Sequence, residues 1–249
     1  MRQDNEKDND KTKSLETLRS LHGVKKLQYI WDYYKLPLFI TGVVLYAVIY
    51  AAYRHLTYKD TSLYAALVNV NAGESLTEQL ENGFLDAAGI DASSNKLQLY
   101  SGLYLTDDAD SPYFEYTYAS RVKILAAIDG EMLDVVLLDK EAFDAFSQNG
   151  YLCRIDELLS EEYPDFYSDI APFIENNIFI KEDNSSDVLL DSSIPYSAVT
   201  EEYPMGADLS QAKLIRQAGF DEPVYFGIIA NSPRKDMAVR YLEYLFYGE

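Results

Sequence analysis

The chemistry open to this chain is narrowed first by what it has few of. Its two histidines, His22 and His55, stand on either side of the longest apolar run, and residues 60–249 contain none. That removes a Ser-His-Asp triad, a Cys-His pair and most zinc sites from this long C-terminal part. The single cysteine, Cys153, allows no internal disulfide. No G-x-x-x-x-G-K-[ST] loop and no G-x-G-x-x-G occurs. Carboxylates are the abundant reactive group, with 41 Asp and Glu against 21 Lys and Arg and a net charge of −20. Thirty-five of the acids fall in residues 60–249. At that density, pairs of every spacing arise by chance, and none marks a two-carboxylate hydrolase. The acid-rich stretch Thr106–Pro112 lacks the Gly and the terminal Glu of a calcium-binding loop, so a solvated loop is expected. The chain reads as a non-enzyme with no cofactor and no metal.

Binding is the remaining chemistry. In an open parallel sheet a ligand lies at the carboxyl ends of the strands. The residues placed there are Asn69 and Asn71 after a first strand, Tyr104 at the end of a second, Asp139 after a third and Asn231 after the last. Asp139 and Asn231 suit helix capping or turn formation equally well. The 22 tyrosines serve either as amphipathic core and surface filler or as the lining of a ligand groove.

The elements that would position these residues alternate between strand and helix. Leu63–Val70 is a short continuous apolar run, as in a buried parallel strand. Ser75–Glu78 has the spacing of a capping box, opening a helix that buries Leu76, Leu80, Phe84 and Ala88. Lys96–Leu105 reads as a second strand. Tyr113–Ile128 reads as a helix with Tyr118, Val122, Leu125 and Ile128 inward. Asp134–Asp139, DVVLLD, is a third strand, and a helix burying Phe143 and Phe146 follows it to Gly150. Three such units in a row predict an α/β fold, its mostly parallel sheet covered by helices. Residues 160–206 are less regular, with a short helix near Ile170–Asn176 and strand-like pieces at Ile178–Ile180 and Val188–Leu190. A helix carrying Leu209, Ala212, Ile215 and Ala218 comes next. Pro223–Ala230 is a strand, and Ser232 caps a final helix burying Ala238, Tyr241, Leu242 and Leu245.

Ahead of this domain, Leu36–Tyr53 runs eighteen residues without a charge. At about 1.5 Å per residue it matches the hydrocarbon thickness of a bilayer. Trp31, Tyr33 and Tyr34 before it and Tyr53 and Tyr58 at its far end suit an interfacial aromatic belt, and Pro37 is expected in the first turn. The alternatives are a buried core helix and a cleaved signal peptide. A charged head of thirty-five residues and the bulky Ile49 and Tyr50 at the exit speak against cleavage. Arg19, Lys25, Lys26 and Lys35 precede the run, while Arg54 and Lys59 follow it, which places the N-terminus in the cytoplasm and residues 60–249 outside. Residues 1–14 read as disordered, and Leu15–Tyr34 as an amphipathic helix near the membrane or against a partner, with Gly23 as a break. The outer part holds eleven basic and thirty-five acidic residues, a charge of −24 that excludes nucleic acid and disfavours anionic lipid.

Three stretches carry a family resemblance. DVVLLDKEAFDAFSQNGYLCRIDELL, residues 134–159, resembles the strand and helix of extracellular solute-binding proteins of ABC importers that end in G-x-L-x-x-L-D-x-L, at Gly150, Leu152, Ile155, Asp156 and Leu158. VYFGIIANSPRKDMAVRYLEYLF, residues 224–246, resembles the segment where such chains return to the first lobe, at Asn231, Ser232 and Ala238. The opening strand and helix, from Leu63 to Ile90, fit the start of that lobe. The resemblance covers about half of residues 60–249. It implies a reduced fold of the second periplasmic-binding-protein type and capture of a small solute, or an accessory role to a membrane transport protein. A retained membrane helix stands where that family has a cleaved signal or a lipidated cysteine, and residues 160–206 leave room for a rudimentary second lobe. The other reading is a degenerate binding-protein fold used as a surface protein-interaction or structural module.

Overall fold

The computed structural model describes residues 23–248; in its first helix the side chains of residues 24–30 and 32–34 are left out of the description. The expected disorder of residues 1–14 and the start of the amphipathic helix at Leu15 lie outside the described residues. The described residues divide into two units, the first ending at Tyr58 and the second beginning at Lys59.

In the first unit, Gly23 takes a left-handed φ of 65° and helix α1 runs unbroken from Val24 to Thr57. Within it, Lys35–Thr57 is long and apolar enough to cross a membrane, and none of its apolar window is buried. Because α1 starts at Val24, Pro37 lies inside the helix and not in its first turn. It removes one backbone donor there, while the Thr41 hydroxyl donates to the Pro37 carbonyl at 2.8 Å.

The second unit is a mixed α/β domain with one six-stranded, mostly parallel sheet in the order β2-β1-β3-β6-β5-β4. Strands β1 (Asp60–Val68), β2 (Asn95–Leu103) and β3 (Val135–Leu138) run parallel. They pair as the three β-then-α units predict. Strand β6 (Tyr225–Ile228) inserts antiparallel beside β3, so the C-terminal segment returns into the first sheet. Strand β5 (Ala198–Asp208) meets β6 only at Ala207 and Asp208, and β4 (Ile174–Asp183) pairs with β5 alone. Four strands share one direction, and β6 and β4 oppose it.

Alternation along the buried strands feeds two cores, as both faces are covered. Leu63, Ala65 and Leu67 of β1, with Val135 and Leu137 of β3, face one core. It is closed by Leu76 of α2 (Glu74–Glu78), Phe84 of α3 (Phe84–Ala87), Ile155 of α6 (Ile155–Glu162), Phe166 of α7 (Pro164–Ile170), Ile215 of α9 (Lys213–Ala218), and Tyr241 and Leu245 of α10 (Lys235–Tyr247). Ala66, Val68, Val136 and Leu138 face the other core, closed by Ile124 and Ala127 of α4 (Phe114–Asp129) and by Phe143 and Phe146 of α5 (Lys140–Gln148).

Several local expectations are corrected. The capping box at Ser75–Glu78 does not form, because the N-cap is Gly73, two residues before Ser75, with no side-chain cap. A π-turn over Gln79–Gly83 separates α2 from α3. There the Gln79 and Leu80 carbonyls accept from the Tyr244 and Tyr241 hydroxyls, at 2.8 and 3.2 Å. Val188–Leu190 is not a strand; it belongs to the short helix α8 (Ser185–Leu190) at the tip of the β4–β5 ribbon. Residues 171–176 pass through a 3-10 turn straight into β4. The largest correction concerns α4. Its buried residues are Thr117, Ser120, Ile124, Ala127 and Ile128, whereas Tyr118 is 80% exposed, Val122 50% and Leu125 41%. Thr117 and Ser120 turn inward because their hydroxyls accept from the Thr106 and Tyr104 amides, at 3.3 and 3.0 Å.

Candidate functional site

The carboxyl ends of β1, β2 and β3 are stitched together by the side chains that the strand-end rule singles out. Asn69 follows β1 with φ 58°, a left-handed conformation that asparagine tolerates. Its amide nitrogen donates to the Leu105 carbonyl at 2.7 Å and to Asp139 Oδ1 at 3.1 Å. Its carbonyl oxygen accepts from the Leu105 amide at 2.8 Å. Asp139 caps α5, accepting from the Ala142 amide at 2.8 Å. Burial pushes its carboxyl above the ordinary range, partly offset by those hydrogen bonds. Asn69 and Asp139 thus converge, with the Asn69 amide and Asp139 Oδ1 engaged by the protein.

The other strand-end residues disperse. Asn71 is exposed. Asn231 lies beyond β6 at the opposite end of β3 and donates to the Ile128 carbonyl at 2.8 Å. Tyr104 is half-buried and stacks on Tyr113 with centroids 4.2 Å apart and planes 3° off parallel, while Tyr116 leans against it at 6.2 Å. These rings open an aromatic surface that continues along the outer face of α4. Phe114, Tyr118, Val122 and Leu125 follow one another at helical spacing there and are all exposed.

Beside that face, between α4 and α5, lies a cleft of about 440 Å³. Its floor includes Leu105, Ile124 and Phe146, and its rim Asp107, Arg121 and Glu141. The rim groups hold one another: Arg121 pairs with Asp107 at 2.7 Å, and Glu141 Oε1 accepts from the Asp107 amide at 2.9 Å. No group of three His, Cys, Asp or Glu among the described residues is placed to hold a metal ion.

Sequence reasoning missed one buried polar hub at the amino end of β3. Asp134 has no exposed surface. Its Oδ2 accepts from the Tyr64 amide and from Arg234 Nε, both at 2.8 Å, and its Oδ1 accepts from the Ser232 hydroxyl at 2.7 Å. The Arg234 guanidinium lies over the Tyr64 ring, 4.8 Å from its centre. Ser232 is therefore taken by Asp134 and does not cap α10, whose N-cap is Arg234. An acid opening an otherwise apolar strand was the signal, since such a residue must find buried donors. No protein-family model, curated protein or solved structure matches this chain.

Proposed function

We propose that this chain is a single-pass membrane protein whose residues 60–249 form an extracytoplasmic docking module on a reduced solute-binding-protein-like fold. The anchor is the apolar part of α1, whose apolar window is exposed among the described residues. The basic residues ahead of it support a cytoplasmic N-terminus. The fold assignment draws support from β6, which returns the C-terminal segment into the first sheet beside β3, as the resemblance implies.

One observation carries the docking reading: the unpartnered aromatic and aliphatic face of α4, from Phe114 to Leu125. A contiguous exposed patch of Phe, Tyr, Val and Leu with an arginine at its flank has the composition of a protein interface core. The partner that suits a membrane-anchored module is another membrane protein, a transport protein among them. Capture of a small solute is the second reading, and the cleft between α4 and α5 supports it. None of Asn69, Asn71, Tyr104, Asp139 and Asn231 lines that cleft, so a solute held there would meet Asp107, Arg121 and Glu141 in their place.

Thermal unfolding of residues 60–249 against sugars, amino acids, oligopeptides and divalent cations separates the two. A solute at about 100 times its Kd adds about 2.7 kcal/mol, a shift of several degrees. The docking reading expects no shift in a well-folded domain. A clear shift with one compound class moves the function to solute capture.

A further inference from the structure

The β4–β5 ribbon is a second unpartnered surface, and its chemistry names the kind of partner it fits. Beyond Asn176 and Tyr203 it has no neighbouring strand. Its far end exposes Leu189 at 88%, Leu190 at 86%, Val199 at 59% and Tyr196 at 56%. This end is nevertheless built. Asn184 accepts from the Ser197 amide at 2.8 Å and donates to the Pro195 carbonyl at 3.0 Å. Asp183 accepts from the Ser185 hydroxyl at 2.7 Å and the Tyr196 hydroxyl at 3.2 Å, and Asp191 from the Ser193 hydroxyl at 2.7 Å. A tip held this way presents its leucines without the ordering cost a floppy loop incurs on binding.

Charge selects among occupants. Between residues 181 and 202 stand Glu182, Asp183, Asp187, Asp191, Glu201 and Glu202 against Lys181 alone. Anionic lipid and a second copy of this acidic domain are both repelled. We propose that the ribbon tip docks into an apolar pocket framed by lysine and arginine on a partner protein. Leu189 and Leu190 enter the pocket and the surrounding carboxylates face its basic rim. The inference rests on the docking reading and adds a second contact to it, with the partner's charge specified.

The test places a photo-crosslinking residue at Leu190, and separately at Tyr118, in the full chain in its native membranes. The expected result is an adduct from position 190 whose partner-side peptide carries net positive charge. Its yield falls roughly tenfold between about 0.05 M and about 0.5 M salt. It falls likewise in Asp187→Asn/Glu182→Gln, two exposed side chains near the tip with no hydrogen bond of their own, while the adduct from position 118 persists and reports an intact fold. An adduct from 190 with lipid or with a second copy overturns the proposal. So does one indifferent to salt and to charge neutralisation. Silence at 190 with an adduct at 118 overturns it while leaving the α4 docking surface standing. Silence at both positions overturns the two together.

Discussion

Asp134 is the group on which the structure makes its most exacting energetic demand. Replacing it with alanine strands three buried or half-buried donors: the Tyr64 amide, the Ser232 hydroxyl and the Arg234 guanidinium. Each buried donor left unpaired costs about 1–3 kcal/mol. Water reaches Arg234, whose side chain is 27% exposed. It also keeps its bond to the Glu131 carbonyl. The expected loss for Asp134→Ala is therefore about 4 kcal/mol, below the sum of the upper limits. Arg234→Gln leaves the carboxylate with two neutral donors and no counter-ion, at about 3 kcal/mol. The double variant falls short of additivity by about 2 kcal/mol, because each single change already breaks the same pair. Urea unfolding of residues 60–249 measures all three as midpoint shifts at constant m-value. A loss below about 1 kcal/mol for Asp134→Ala, or strict additivity, would refute the reading of Asp134 as the clamp between β1, β3 and the entry to α10.

Three further outcomes follow from side chains already placed. Asn69→Gly, which keeps the left-handed backbone, should cost about 2 kcal/mol in lost hydrogen bonds, and Asn69→Ala about 1 kcal/mol more, because alanine resists φ 58°; the same unfolding assay reads both. For Asp139 the folded carboxyl titrates above its ordinary 3.8, so the folded state binds the proton more tightly than the unfolded one. Its contribution to stability then falls as pH rises through the window above 3.8, and Asp139→Asn, which still caps α5, should flatten that fall without loss at pH 7 when unfolding is followed against pH. Burial pushes the Cys153 thiol up to about 11. Its thiolate population at pH 8 should be roughly a hundredfold below that of a free cysteine, so maleimide should label this half-buried thiol far more slowly in the folded chain than after unfolding, and equal rates would contradict the shift.

The strand-helix alternation was legible because buried parallel strands read as continuous apolar runs too short for a helix and bounded by polar or turn residues. Leu63–Val70 and Asp134–Asp139 lie close to the observed β1 and β3 for that reason. The capping role open to Asp139 is present because a side chain and an amide three residues on need no tertiary information. What escaped was long-range. Asp134 and Ser232 are 98 positions apart, and only the antiparallel return of β6 brings them together. In α4 the aliphatic and aromatic spacing pointed to the wrong face, because Thr117 and Ser120 are buried through hydrogen bonds that apolar periodicity cannot register. That inversion is informative. The residues that look like core and lie on the surface, Tyr118, Val122 and Leu125, are those assigned here to a partner.

Coverage of α4 in the native membrane tests that assignment most directly. Tyr118→Cys and, as an exposed reference on α2, Glu78→Cys are each made in a Cys153→Ser background, since Cys153 is only half-buried, and are labelled with maleimide in native membranes and again after purification in detergent. Position 118 is expected to react roughly tenfold more slowly in membranes than after purification, while position 78 reacts alike in both. Equal rates at position 118 in the two states would contradict it.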